Sequence, residues 1–157
     1  MRITITVIIL VSSLSLYCQT DAEYPQRILF EAGGNGGVYS FNYEHDFEYF
    51  WQGNLKWEVG LSYSPFFGKN IIAIPLAINY VIGKSKHKME LGTGQVLIIA
   101  PGEEHGGFIR GTFDVGYLLQ PDDKRVYYKF AYTPFYSYTS NFQYQHWGAL
   151  GIGYQLK

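Results

Sequence analysis

The chain has 157 residues, which suits a single domain, and its formal net charge at pH 7 is −1 with no cluster of either sign. This balance argues against a nucleic-acid partner, which would require a basic patch. Charged residues make up 16% of the chain and aromatic residues 18%, with 15 Tyr and 18 Gly. The composition is poor in charge for an ordinary soluble domain and is typical of tightly packed β-structure.

The first residues have the pattern of an export signal. Arg2 supplies a positive charge, the segment 3–11 is mostly apolar, and a cleavage site is predicted before Gln19. We therefore predict a signal peptide over 1–18 and a mature domain over 19–157. Cys18 is the single cysteine, so an internal disulfide is excluded. Whether Cys18 is removed with the signal or carries a lipid stays open, although the bulky Tyr17 before it disfavours lipidation.

Beyond residue 18 no apolar run approaches the roughly 18 residues of a spanning helix, so a membrane location would require strands. The segment 24–33 predicts a first strand and the segment 38–45 a second. The glycines at 33, 34, 36 and 37 supply a tight turn between them. A single long strand over 24–45, kinked at these glycines, is the alternative to this hairpin. We favour the hairpin.

The rest of the chain alternates between apolar and polar residues with the period of a strand. This alternation predicts strands over 55–64, 71–83, 88–99, 108–119, 126–136 and 146–156. Basic residues at 84–87 and the sequence Pro121-Asp122-Asp123 supply short turns, whereas 65–70, 100–107 and 137–145 are loops. The count is eight strands, and the fold class is an all-β, antiparallel, up-and-down transmembrane β-barrel.

One face of the predicted strands is apolar and is expected to face lipid. Its members are Leu55, Trp57, Val59, Leu61, Ile74, Leu76, Ile78, Phe113, Val115, Tyr128, Phe130 and Ile152. The other face is rich in small residues and carries four cations and four acids, which predict a paired charge network in a filled lumen. Its members are Glu44, Lys56, Glu58, Lys88, Glu90, Arg110, Asp114 and Lys129.

A soluble ligand-binding barrel would instead turn the apolar face inward. Three features favour lipid outside: a small-residue polar face, near-balanced charges on it, and an apolar face without charge. Aromatic residues also gather near the predicted strand ends, as in the girdles of membrane barrels.

The export signal, the alternating segments across 24–156 and the terminal strand Gly151-Ile152-Gly153-Tyr154-Gln155-Leu156 resemble the small eight-stranded outer-membrane β-barrels of Gram-negative bacteria, the OmpA/OmpX-like class. The resemblance implies location in the outer membrane, contact with its lipid, and insertion by the barrel-assembly machinery, which reads a terminal aromatic residue. Here Tyr154 and Leu156 are in phase, and Lys157 follows them.

No residue pattern indicates catalysis, a cofactor or a metal. None of the four histidines is followed by Ser as in lipid A deacylases, and no G-x-S-x-G motif occurs. Glu103, Glu104 and His105 are consecutive, which is poor geometry for one metal site.

We expect a non-enzymatic barrel with a structural or surface-interaction role, reaching any extracellular partner through loops 100–107 and 137–145. The alternatives are a secreted or periplasmic lipocalin-like barrel that binds a small apolar ligand, and a lipid A-modifying outer-membrane enzyme.

Overall fold

The computed structural model describes residues 25–47, 55–64, 71–83, 85–99, 107–121, 124–138 and 142–156. In these residues it contains ten strands: β1 Gln26–Gly33, β2 Tyr39–Asp46, β3 Leu55–Ser64, β4 Ile71–Ile82, β5 His87–Ile99, β6 Gly107–Leu119, β7 Val126–Tyr132, β8 Phe135–Ser137, β9 Tyr144–Gln145 and β10 Gly148–Gln155. None of the described residues forms a helix long and apolar enough to cross a membrane. The predicted signal peptide, Cys18, the segments 48–54 and 65–70, and the loop residues 100–106 lie outside the described residues.

The strands close into one antiparallel barrel. Consecutive strands pair from β1 to β7, β7 pairs with β10, and β10 pairs with β1 to complete the circuit. Eight strands, β1 to β7 and β10, therefore surround a common interior, and we call them the staves of the barrel. The predicted eight-stranded, all-antiparallel barrel is confirmed. We call the end at which β1 begins and β10 ends the terminus end, and the opposite end the loop end.

The two shortest strands continue two longer ones. β8 extends the line of β7 along β6, and β9 extends the line of β10, each in the register of the longer strand. Pro134 lies in the gap between β7 and β8, where it has no N–H to donate to a neighbour. Across the same gap the Thr133 N–H donates to the Trp147 carbonyl at 2.9 Å. The predicted loop 137–145 is thus shorter than expected, because residues at both of its ends belong to strands.

The glycine-rich segment after β1 forms a hairpin, as predicted, and its turn folds into the barrel. β1 and β2 pair from Gln26 with His45 to Ala32 with Tyr39. Gly34, with φ +85°, adopts a backbone conformation that side chains disfavour. Asn35 at the tip is 1% exposed and accepts a hydrogen bond at 3.0 Å from the Thr112 hydroxyl on the opposite wall. The turn, residues 34–37, thereby crosses the interior; we call it the plug turn.

Burial alternates along most of the long strands and separates two surfaces. In β3, for example, Lys56 and Glu58 are each 1% exposed and Leu61 is 61% exposed. On the outer wall, the ten described strands carry no Asp, Glu, Lys or Arg, and Thr93 and Gln95 interrupt the apolar band in the middle of β5. The arrangement is the reverse of a water-soluble domain, in which charge is outside and apolar side chains are inside.

Close cross-strand contacts fill the interior. Several lumen-facing glycines lie directly opposite a larger side chain that folds over them. Gly60 pairs with Asn42, and Gly153 pairs with Tyr127, whose ring occupies the space that a Cβ on Gly153 would need. The narrow lumen therefore accommodates large polar groups because their strand neighbours have no side chain.

Candidate functional site in the barrel interior

The interior changes in chemistry along the barrel axis. Near the terminus end, Arg27 on β1 and Asp46 on β2 form a two-bond ion pair with N–O distances of 2.6 and 2.9 Å. A buried ionic layer follows, then the plug turn, and an apolar pocket opens at the loop end. Successive residues on one strand point alternately into the lumen and out of the barrel, so one strand contributes only every second residue to the interior. Each layer is therefore built by lumen-facing residues from several staves.

The ionic layer holds two lysines among five carboxylates. Lys56 contacts Glu44 and lies 2.6 Å from Glu90 Oε2. The other lysine, Lys129, has its Nζ 3.0 Å from Glu90 Oε1, 3.0 Å from Asp114 Oδ2 and 3.3 Å from Glu31 Oε1. Glu90 therefore bridges both cations. All of these side chains are at most 2% exposed, so the charges are stabilised by each other rather than by water.

Neutral hydrogen-bond donors complete the ionic layer. The Tyr127 hydroxyl donates to Glu44 Oε2 at 2.5 Å, and the Asn79 amide donates to Glu58 Oε2 at 3.0 Å. The Asn42 amide donates to Glu31 Oε2 at 2.8 Å. Each of these donors is itself buried, and each orients a carboxylate in space that bulk water does not reach.

The predicted lumen charges divide between the ionic layer and the two mouths. Glu44, Lys56, Glu58, Glu90, Asp114 and Lys129 lie in the ionic layer. In contrast, Lys88 is near the terminus end, where its ammonium donates to Gln120 at 3.0 Å, and Arg110 is at the loop end, where it donates to Gln145 at 3.4 Å. The expected balance of four cations and four acids does not describe the centre, because these two cations lie at strand ends and the sequence analysis omitted Glu31.

Three carboxylates of the ionic layer are close enough to share one ion. Oxygen atoms of Glu44, Glu58 and Glu90 lie within 4.8 Å of one another. The ammonium groups of Lys56 and Lys129 lie among the same oxygens and supply the positive charge there. The cluster therefore has the chemistry of a structural ion network.

The twelve residues predicted to face lipid all lie on the outer wall. Seven are exposed: Leu61, Leu76, Ile78, Val115, Tyr128, Phe130 and Ile152. The other five are partly covered by their neighbours on the same wall: Leu55, Trp57, Val59, Ile74 and Phe113. They belong to β3, β4, β6, β7 and β10, so large apolar side chains cover most of this exterior.

The loop end of the interior contains a pocket that the sequence analysis missed. It has a volume of about 520 Å³ and lies above the plug turn. Its walls include a cluster of Ala73, Val96, Ile98 and Phe135, with Trp147 packed against them. Val96 and Ile98 continue the lumen face of β5, which carries Glu90 lower down, and Phe135 continues that of β7, which carries Lys129. The signal was available in β5, where Val96 and Ile98 have the same phase as Glu90.

A second, smaller cavity of about 180 Å³ opens near the terminus end and is polar. It is lined by both members of the Arg27–Asp46 pair and by Lys88 and Gln120. The ionic layer separates this cavity from the apolar pocket, so the described interior is divided rather than open from end to end.

Aromatic groups cluster at both ends of the outer wall. Near the terminus end, Tyr43, His45 and Trp57 pack together with ring centroids 5.4 to 6.4 Å apart. Near the loop end, the Tyr132 hydroxyl is 2.5 Å from His146 Nδ1 and 2.9 Å from the Tyr144 hydroxyl. The histidines at these sites therefore belong to aromatic clusters. Glu103, Glu104 and His105, which the sequence analysis considered and disfavoured as a metal site, lie outside the described residues.

No family model matches this sequence, and none of the curated proteins with which it was compared matches it. The assignment of function therefore has to come from the geometry of the barrel and its interior.

Proposed function

We propose that this protein is an integral outer-membrane β-barrel whose role is structural or lies in surface interaction, without catalysis. The observation that carries the proposal is the inverted distribution of polarity, with Lys129 0% exposed inside and Leu150 61% exposed outside. Leaving so many large apolar side chains in water would cost roughly 25 cal/mol for each Å². A hydrocarbon surrounding removes that cost.

The backbone supports the same proposal. Each of the eight staves is hydrogen-bonded on both sides, so the closed sheet leaves no open edge within the barrel. Aromatic clusters near the two ends correspond to the interfacial girdles of membrane barrels. The connections after β4 and after β6, residues 83–86 and 120–125, are short enough for periplasmic turns.

The filled interior favours a structural or interactive role over transport. An eight-stranded barrel is just wide enough to be filled by side chains, and here the buried ionic layer fills its middle. The loop end, with Tyr138 55% exposed and Phe142 68% exposed, offers an aromatic surface to an extracellular partner.

A soluble, lipocalin-like barrel has a compatible fold and is the second candidate. The apolar pocket at the loop end is the observation in its favour, because such barrels hold apolar ligands. It would, however, have to keep the apolar outer wall in water or cover it with another surface.

Site-directed spin labelling separates these candidates. In a Cys18→Ser background, single labels at Leu61→Cys and Ile152→Cys report on the outer wall, and a label at Lys124→Cys in the turn before β7 is the matched control. For a membrane barrel, we expect the two wall labels to relax with oxygen and to be shielded from a water-soluble nickel complex. We expect the opposite for the turn label.

Wall labels that are fully accessible to the nickel complex in a folded, detergent-free protein would disprove the membrane proposal.

The enzymatic alternative has a separate test, the mass spectrum of lipid A from cells that overproduce the protein. We expect that spectrum to match the one from control cells.

A further inference from the structure

The apolar pocket at the loop end has the features of a ligand site. Its volume of about 520 Å³ lies within the range of small-molecule sites, roughly 300–1,000 Å³. Val96 and Ile98 on β5 and Phe135 on β8 form apolar walls that are at most 9% exposed. The lining is thus formed largely by stave positions, which belong to the rigid part of the molecule rather than to connecting loops.

The floor of this pocket is fixed by hydrogen bonds. The Trp147 indole N–H donates to the Gly37 carbonyl at 3.2 Å, and the Val38 N–H donates to the Ser64 hydroxyl at 3.2 Å. The plug turn is therefore held to two staves and separates the pocket from the ionic layer below. Within the part of the chain that the structure describes, a ligand consequently enters from the loop end.

The pocket has a single charged group among its described lining residues, the guanidinium of Arg110. The Arg110 guanidinium lies over the Phe108 ring, and the distance from Arg110 Cζ to the ring centroid is 5.1 Å. It also donates a hydrogen bond to the Gln145 side-chain oxygen. Within the described residues, Arg27, Lys56 and Lys129 each form an ion pair with a carboxylate. No carboxylate among these residues forms an ion pair with Arg110. An apolar interior with a cation at its entrance that no described carboxylate pairs with is complementary to an amphiphile with an anionic head.

We propose that this pocket binds a single-chain amphiphile with a carboxylate head, of the fatty-acid class. The chain lies among Val96, Ile98 and Phe135, and the carboxylate pairs with Arg110, whose planar fork suits two parallel hydrogen bonds. Trp147 forms part of the wall that the chain contacts. The site lies in the lumen, so the inference goes beyond the proposed membrane role and does not depend on what surrounds the outer wall.

Quenching of Trp147 fluorescence by a fatty acid with a nitroxide on its chain tests the proposal. The protein is the full barrel in lipid nanodiscs, with Trp51→Phe and Trp57→Phe so that Trp147 alone reports. The matched control carries Trp51→Phe and Trp147→Phe, so that Trp57 on the outer wall reports on probe dissolved in lipid. We expect saturable quenching of Trp147 that unlabelled fatty acid reverses, and non-saturable quenching of Trp57.

Two variants and one analogue test the contacts. Arg110→Gln should weaken binding about tenfold, the effect of losing one charge-assisted hydrogen bond. Ala73→Phe should abolish saturable quenching by filling the pocket, and heat-modifiable migration on gels shows whether it folds. A long-chain amine with the same nitroxide should bind more weakly than the acid, because its head repels the guanidinium.

Absence of saturable quenching at Trp147 overturns the proposal, and so would occupation of the pocket by the chain's own segments 65–70 or 100–106. Equal binding of acid and amine, or no effect of Arg110→Gln, overturns the assignment of an anionic head. If the protein proves soluble rather than membrane-embedded, the same fatty-acid titration can be made in buffer and has the same supporting and contradicting results. The pocket proposal and the membrane proposal can therefore be disproved independently of each other.

Discussion

At the scale of single residues, glycine makes room for the polar side chains of the lumen. Gly153 and Tyr127 face each other in the β7–β10 register, and the Tyr127 ring lies where a Gly153 side chain would be. From this position the Tyr127 hydroxyl donates to Glu44. The absence of a side chain at position 153 thus has a specific packing role in this interior.

Gly153→Ala should therefore destabilise the barrel. Its Cβ would lie 2.0 Å from Tyr127 Cζ, so the ring must move and release Glu44. We expect a loss of about 1–3 kcal/mol in the free energy of unfolding, measured by urea titration in lipid vesicles. Gly148→Ala is the control, since its nearest neighbour would be the Ala131 carbonyl oxygen at 3.6 Å. Equal urea midpoints for the two variants would contradict this packing.

Lys129 is the residue on which the ionic layer depends most. Lys129→Met removes the cation that contacts Glu90, Asp114 and Glu31, and leaves buried carboxylates facing one another. We expect a loss of about 3–5 kcal/mol by urea titration, the range for breaking a buried ion pair. The exposed Lys124→Met is the control and should stay within about 0.5 kcal/mol of the parent.

The added substitution Asp114→Asn provides a second check on this prediction. It removes one of the carboxylates that Lys129 neutralises, so it should recover part of the stability lost in Lys129→Met. A double variant no more stable than Lys129→Met alone would show that repulsion in the ionic layer is not the cause.

Sequence alternation identified the side of the sheet that each residue occupies, but it carried no information about depth. Lys56 and Arg110 have the same phase in the pattern, yet one lies in the ionic layer and the other at the mouth. Glu31 was overlooked because it shares its face with the apolar Leu29, which obscures the polar pattern of β1. The apolar pocket was missed for the same reason, since Val96 and Ile98 lie on a face identified by its charges.

At the scale of elements, the plug turn divides the interior. Its fold depends on glycine at position 34, where φ is +85° and a Cβ would lie 2.6 Å from Glu31 Oε2. The sequence predicted a turn here but not its direction, because glycines permit an inward or an outward course equally. The contact between Asn35 and Thr112, which are 77 positions apart, fixes the inward course.

Gly34→Ala should therefore disturb the plug turn. A side chain in this backbone conformation costs about 1–2 kcal/mol, and the contact with Glu31 adds to the loss of stability. Gly107→Ala is the control, because its φ is ordinary and its nearest neighbour would be the Ile98 carbonyl oxygen at 3.4 Å. Urea midpoints measured side by side decide the outcome, and a Gly34→Ala variant as stable as the control would contradict the inward fold.

Strand positions were the most predictable elements. β3 has the predicted bounds, 55–64, because its alternation has no exception. The last staves were less predictable. Pro134 interrupts one of them, and the segment 144–147 is so short and so aromatic that its sequence does not distinguish a strand from a loop. Their continuity depends on register with neighbouring staves, which is a property of the tertiary structure.

At the scale of the whole molecule, the outer wall sets the medium in which the barrel is stable. Leu76 lies near the middle of β4, is 53% exposed and pairs with Val59 and Gln95. Leu76→Arg should cost about 2–4 kcal/mol in a bilayer, the range for an arginine at the midplane of a membrane barrel.

The control for this prediction is Tyr138→Arg at the loop end, which should cost at most about 1 kcal/mol. Urea titration in vesicles measures both variants. Equal effects would show that the wall has no gradient of depth and would contradict a membrane surrounding.

The seam of the barrel joins the first described strand to the last one, with Arg27 opposite Gln155 and Gly33 opposite Ala149. A chain still leaving the ribosome lacks the partner for β1, so its sheet cannot become a cylinder during synthesis. Closure must wait until β10 has been synthesised, and the contacts that achieve it are among the most distant in the sequence, which makes this step slow. Under the proposed outer-membrane role, this delay would let the chain cross the periplasm before the barrel closes.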